Sequence, residues 1–235
     1  MLQNDIVFGI VDAISQLIPH KRILGNSDFV RHELNKVIDP IILNYEGFKI
    51  KLNRYSSHDR DIFWEYLNGN YYDSLLSQCL KSFLKVGDTF LDIGANNGFF
   101  SLLASPLVGA DGLVLAFEPS PLTFGRLNEN IELNHFKNIK CFNIALGNHT
   151  GTATFYDFRT MDGSNSLVKM RGGRKTKVSM DTLDNILGEF KIRPNFVKID
   201  VEGFEKEVLE GGNPRRTIYY KILYLYKFKS LFEQF

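Results

Sequence analysis

The chain has 235 residues, of which 44% are hydrophobic and 23% charged. That balance suits a folded globular protein and excludes disorder as the main state. Lys plus Arg number 28 and Asp plus Glu 27, for a formal charge of +1, so bulk charge makes no case for nucleic-acid binding.

The length fits one large domain, or one domain carrying an extension. Two cysteines, Cys79 and Cys141, are too few for a disulfide scaffold and read as small core residues. The N-terminus has no basic region ahead of its apolar stretch, and no small-residue cleavage site follows. No window approaches about 18 uninterrupted apolar residues. The expectation is a soluble cytoplasmic protein without a transmembrane segment.

Residues 1–38 carry helical spacing in Ile6, Ile10, Ala13, Ile14, Leu17 and Ile18, with Pro19 ending the first helix. Ile41 to Leu52 reads as a β-hairpin turning at Glu46-Gly47, because Phe48-Lys49-Ile50-Lys51-Leu52 alternates apolar and charged. Two short helices are expected over 59–67 and 71–84, separated at Gly69. Residues 1–85 together form an N-terminal extension of helices and a hairpin, and 86–235 a second domain.

From residue 86 the texture changes. Thr89–Ile93, Leu113–Phe117, Ile139–Phe142 and Phe196–Ile199 are apolar runs. Such runs suit strands covered on both faces, as in a parallel sheet. Asn97–Ala104, Thr123–Asn134 and Glu202–Glu210 lie between them with helical spacing. Phe124, Leu127 and Ile131 share one face of the middle helix, and Gly125 weakens it by about 1 kcal/mol relative to Ala. This alternation predicts a doubly wound α/β fold with a mainly parallel sheet. Between the third and fourth runs, Thr152–Phe158 reads as an exposed strand and Met161–Lys177 as a long loop.

Three constellations carry chemistry. In Phe90-Leu91-Asp92-Ile93-Gly94-Ala95-Asn96-Asn97-Gly98 a strand ends in an acid and enters a Gly-rich turn that opens a helix. The pattern lacks the G-x-G-x-x-G glycines that admit a pyrophosphate, which argues for a ligand without one. S-adenosylmethionine suits such a turn. Asp92 can serve its positive groups, and the turn's N–H groups its carboxylate. Second, Glu118 ends the next strand, 24 residues after Gly94, where an acid can accept bonds from both ribose hydroxyls. Third, Asp200 and Glu202 leave the fourth strand. Asp92, Glu118, Asp200 and Glu202 are therefore expected on one rim, at the carboxyl ends of the strands. Glu205 and Glu207 are expected to face solvent.

Leu91-Asp92-Ile93-Gly94-Ala95-Asn96, Ala116-Phe117-Glu118-Pro119 and Val197-Lys198-Ile199-Asp200-Val201-Glu202-Gly203 resemble the FkbM family of S-adenosylmethionine-dependent methyltransferases. Asn143-Ile144-Ala145-Leu146-Gly147-Asn148 and Met180-Asp181-Thr182-Leu183-Asp184 are similar to that family in the same order, so the resemblance covers roughly residues 80–212. It implies a Rossmann-like class I methyltransferase fold. It implies that Asp92, Gly94, Ala95, Asn96, Asn97 and Gly98 hold the methionine part of the cofactor. Glu118, with Pro119, would hold the ribose, and Asn143 and Ala145 would lie beside the adenine. Asp200 and Glu202 would act near the transferred methyl, either of them as the base. Ser164-Asn165-Ser166 would border the acceptor. The acceptor itself would be a hydroxyl of a saccharide, glycolipid or secondary metabolite.

His58, His135 and His149 are alternative bases, each read as a surface or satisfied histidine. No Cys/His cluster suggests a structural zinc. Lys169-Met170-Arg171-Gly172-Gly173-Arg174-Lys175 is a basic stretch that could touch an anionic acceptor or simply be solvated. From Asn213 the chain departs from the family pattern. Ile218–Tyr224 is expected as a fifth strand and the final antiparallel strands as missing. Two other readings follow: an inactive S-adenosylmethionine-binding homologue, and a nicotinamide-dependent oxidoreductase that the missing glycine fingerprint disfavours.

Overall fold

Each of the four apolar runs becomes a strand of one sheet. The computed structural model describes residues 41–53, 56–157, 167, 174–212 and 221–223. The chain divides into two compact units between Ile41 and Ile42, and the second is the subject below. The predicted helix in 1–38, the Ser164–Ser166 stretch and Lys169–Gly173 lie outside the described residues.

Strands β1 (Ile41–Tyr45) and β2 (Phe48–Leu52) pair as the expected hairpin. Helix α1 (Ser57–Leu67) starts at Ser56, whose Oγ accepts from the Asp59 N–H at 3.1 Å. Helix α2 (Ser74–Phe83) starts at Asp73, whose carboxylate accepts from the Leu76 N–H. Such side-chain caps satisfy amides that a helix start leaves orphaned. There follow β3 (Thr89–Ile93), α3 (Phe99–Val108), β4 (Leu113–Phe117), α4 (Pro121–Asn134) and β5 (Ile139–Phe142). Then come β6 (Ala145–Gly147), β7 (Gly151–Asp157), β8 (Arg174–Thr182), α5 (Leu183–Phe190), β9 (Phe196–Ile199), α6 (Glu205–Glu210) and β10 (Lys221–Leu223).

The central sheet runs β10-β9-β3-β4-β5 with every pair parallel. This is an α/β Rossmann-like fold. The chain lays β4 and β5 on one side of β3, then returns to place β9 on the other. The strand order therefore reverses at the β3/β9 boundary, where open α/β sheets form their ligand crevice. Both faces are covered, so β3, β4 and β9 are buried almost throughout, as their mainly apolar character predicts. Phe90 and Phe196 meet across the β3/β9 pair with ring centroids 5.9 Å apart. Burying each such side chain contributes about 1.5–3 kcal/mol.

Two expectations about this region need correction. Thr152–Phe158 was expected to be exposed, but Phe155 is buried in a second sheet, β6-β8-β7, against Val178 and Met180. The expected loop to Lys177 ends earlier, because β8 begins at Arg174. In β8 the buried Val178 and Met180 flank the exposed Ser179, an alternation of period two that the basic composition hides. Arg174 and Lys175 of the basic stretch belong to this strand.

The division expected at residue 85 falls inside one compact unit. The backbone N–H groups of Lys49 and Lys51 in β2 donate to Asn134 Oδ1 at 2.6 Å and Asn130 Oδ1 at 2.7 Å on α4. Those bonds sew the hairpin to the parallel sheet's helical layer. At the far end, β10 is a fifth parallel strand registered on β9.

Candidate active site

Asp92 of β3 and Lys198 of β9 are register partners, so their side chains leave adjacent strands on the same face. Lys198 Nζ donates to Asp92 Oδ1 at 2.9 Å and to the Gly94 carbonyl at 3.0 Å. The Ser101 hydroxyl donates to Asp92 Oδ2 at 2.7 Å. Burial would lower the Lys198 pKa. The carboxylates of Asp92, Asp200 and Glu118 outweigh it and hold the ammonium above its usual value. Both ion-pair partners are almost fully enclosed.

This geometry corrects the expected role of Asp92. Its carboxylate is buried beneath the turn, engaged by Lys198 and Ser101, and does not line the cavity above. The turn's amides are engaged as well. Gly94 and Ala95 N–H donate to the Phe117 carbonyl, Gly98 N–H to the Ala95 carbonyl, and Asn96 N–H to Glu118 Oε2. These four amides are thus spent on shaping the turn rather than held out for a carboxylate. Gly94 has φ +79°, and a β-carbon there would overlap the carbonyl oxygen of Asp200. The close neighbour that requires glycine is the end of β9. Gly98 is similarly a packing residue, against Leu127. Asn97 is buried, donating from Nδ2 to Asp59 Oδ1 at 2.7 Å, while its carbonyl accepts from Asn130.

A cavity of about 300 Å³ opens above the β3/β9 boundary. Gly94, Ala95, Asn96, Glu118, Pro119, Ala145, Asp200 and Glu202 all line it. Asn143 stands one layer back, donating from Nδ2 to the carbonyls of Glu118 and Pro119 and so fixing the end of β4. Glu118 accepts from Ser120 N–H on Oε1 and Asn96 N–H on Oε2, each at 2.9 Å. A carboxylate has about four lone-pair sites, so capacity remains toward the cavity. Burial raises its pKa to about 7, against the pull of those two N–H bonds. Glu202 has φ +50°, Asn96 +52° and Asp73 +41°. Left-handed backbone in non-glycine residues is costly and gathers at functional sites.

Glu205 was expected to face solvent, yet its Oε1 accepts from the Gly203 N–H at 3.0 Å and braces the turn after β9. Glu207 is also partly buried.

One whole side of the cavity carries no sequence signal except His58, which was named only as an alternative base. Ser57, His58 and Asp61 of α1, with Tyr72 and Asp73 ahead of α2, line it. The His58 ring packs edge-on to Tyr72, with centroids 4.8 Å apart. Burial lowers the His58 pKa, while Asp59, Asp200 and Asp61 pull the other way. Burial raises the Asp73 pKa, opposed by its bond from the Leu76 N–H. The one local signal was polar: a Ser-Ser-His-Asp run at a helix start, where a cap is expected in any case.

The family model described as Methyltransferase FkbM domain matches residues 92–234, more than half of the chain. The chain belongs to the FkbM methyltransferase family. The match continues past Gly212, where a departure from the family pattern was expected, and it takes in β10. Among curated FkbM-like relatives, Methyltransferase 1 of Beauveria bassiana is 30% identical over 53% of this chain and 58% of its own. Hexuronic acid methyltransferase AglP of Haloferax volcanii is 27% identical over 81% of this chain and 76% of its own. The chain thus spans under two thirds of the former's length. The solved Methyltransferase FkbM from Methylobacillus flagellatus KT is 15% identical over 72% of this chain and 43% of that one, with a TM-score of 0.41. Among the described residues, no helix is long and apolar enough to cross a membrane.

Proposed function

We propose that this chain is an S-adenosylmethionine-dependent methyltransferase that O-methylates a hydroxyl of a saccharide or related metabolite. The observation that carries the reading is Glu118. It is a buried carboxylate at the end of β4, held by two backbone amides and still able to accept from the cavity. That is the requirement of a diol-binding group for adenosine ribose. Phe117, Pro119, Ile144 and Ala145 supply an apolar strip beside it for the adenine. Lys198 has used two of its three donors and supplies the cation for the cofactor carboxylate. The cofactor, when bound, supplies an electrophilic methyl on a cationic sulfur. Asp200 and Glu202 stand near the methyl and the acceptor. The saccharide class rests on likeness to a hexuronic acid methyltransferase.

Calorimetric titration with S-adenosylmethionine and with NAD tests the cofactor. Heat with the first and none with the second is expected, and no heat with the first sinks the reading. Methyl transfer to a panel of sugars and hydroxylated metabolites tests the reaction. Glu118→Ala should weaken cofactor affinity, and Asp200→Ala should lower turnover at saturating cofactor.

A further inference from the structure

Methylating a hydroxyl requires its proton to be taken up inside the site. Of the three histidines among the described residues, His135 and His149 are exposed and away from the cavity, whereas His58 lines it. The ring stands at the N-terminus of α1, where the helix dipole disfavours a cation. Among the described residues, the groups around it come from three elements. Asp59 and Asp61 share its helix, Asp200 and Lys198 approach from the end of β9, and Tyr72 and Asp73 from the segment before α2. Asp59 is already engaged, its oxygens accepting from Asn97 Nδ2 and the Asn53 N–H. Lys198 is bound to Asp92. Asp200 lines the same cavity and interacts electrostatically with the imidazole.

We propose that His58 is the general base for the acceptor hydroxyl, with Asp200 stabilising the imidazolium that forms. The inference rests on the methyltransferase reading above and deepens it. The acceptor oxygen bonds to the methyl carbon as the carbon–sulfur bond breaks, its electron pair staying on sulfur. The hydroxyl proton passes to a ring nitrogen of His58, and Asp200 offsets the new positive charge within the cavity. A neutral imidazole matches this task near neutral pH. The assignment also explains a division in the chain. The family match begins at residue 92, and His58, Tyr72 and Asp73 all precede it. The base is thereby assigned to the segment ahead of the matched region, and its charge partner Asp200 to the segment within it.

The first test needs no acceptor. Carbon-13 histidine labelling of the full chain, assigned with His58→Gln, follows the ring by NMR through a pH titration. His58 should titrate below the ordinary value of about 6.5. Asp200→Asn, which removes a charge favouring the cation, should lower it further. Titration at or above the ordinary value overturns the neutral base, and no response to Asp200→Asn overturns the pairing. The second test is kinetic, on those members of the hydroxylated panel that the native chain methylates. His58→Gln and His58→Ala should each lower kcat about 10²–10⁴-fold and leave the calorimetric affinity for S-adenosylmethionine within about twofold. The acid limb of the kcat–pH profile should vanish, and free imidazole should restore part of the His58→Ala loss. Retention of kcat within about threefold, or persistence of the limb, overturns the proposal. Failure of the native chain to bind S-adenosylmethionine is a separate result. It sinks the functional reading, and the NMR titration still judges the His58–Asp200 pair.

Discussion

Gly125 lies in the interior of α4 with nothing within 4 Å of the position a β-carbon would take. Alanine there should stabilise the fold by about 0.5–1 kcal/mol, as a higher urea midpoint at unchanged slope. Gly94→Ala should do the opposite, because it meets both a left-handed backbone and the Asp200 carbonyl. Loss of at least about 2 kcal/mol is expected, together with lost cofactor binding by calorimetry. Glu118 makes a prediction about pH. Its carboxyl is raised to about 7, so the empty site is largely protonated below that value and ionised above it. The ionised form accepts the ribose hydroxyls. Affinity for S-adenosylmethionine should therefore climb up to tenfold per pH unit as pH rises toward about 7, then flatten. In Glu118→Gln that slope should disappear. A slope that persists in the variant would assign it to another group.

At the scale of elements, β3 and β9 are joined by more than their ladder. Lys198→Met leaves the Asp92 carboxylate enclosed without its cation, which costs about 3–5 kcal/mol and is measurable by guanidinium unfolding. The double variant Asp92→Leu with Lys198→Met should recover most of that loss, since no enclosed charge is left uncompensated. The four sheet strands were legible because strands covered on both faces are mainly apolar. Helices α1, α2 and α4 were legible through spacing and through Gly69. Strand β8 and helix α5 were not. In β8 the exposed positions are occupied by Arg174, Lys175 and Lys177, so a basic stretch masks an alternation that begins only at Val178. Helix α5 starts at a Thr182 cap inside a segment read only as part of a motif.

For the whole molecule, the order of strands decides where chemistry can happen, and the alternation of apolar runs with helices implied the doubly wound class though not the order itself. Glu118, Asp200 and Glu202 line one cavity, as an expected rim at the strand ends requires. Asp92 lies beneath it, because a register partner of opposite charge captures it, and partners in register are invisible until the strands are paired. Tyr72 and Asp73, and the place of His58 at the site, were illegible for a different reason. They reach the site through long-range packing of the hairpin on α3 and α4, of α1 on the hairpin and of α2 on α3, and no local spacing records such contacts. Bonds such as Asn97 to Asp59 carry that packing into the Gly-rich turn. Hydrogen exchange should show the result: adding S-adenosylhomocysteine should slow exchange at 94–98 and at the start of α1 together, leaving α5 unchanged. The backbone approach of Gly94 to Asp200 has a consequence for redesign. The turns that end β3 and β9 touch backbone to backbone, so a library varied at 200–203 to accept a new alcohol should disturb donor binding through Gly94. Diversity placed at Ser57, Asp61, Tyr72 and Asp73 touches the same cavity from the other side and leaves the Gly94–Asp200 approach itself unaltered. Altered acceptor choice with intact donor affinity should be found there first.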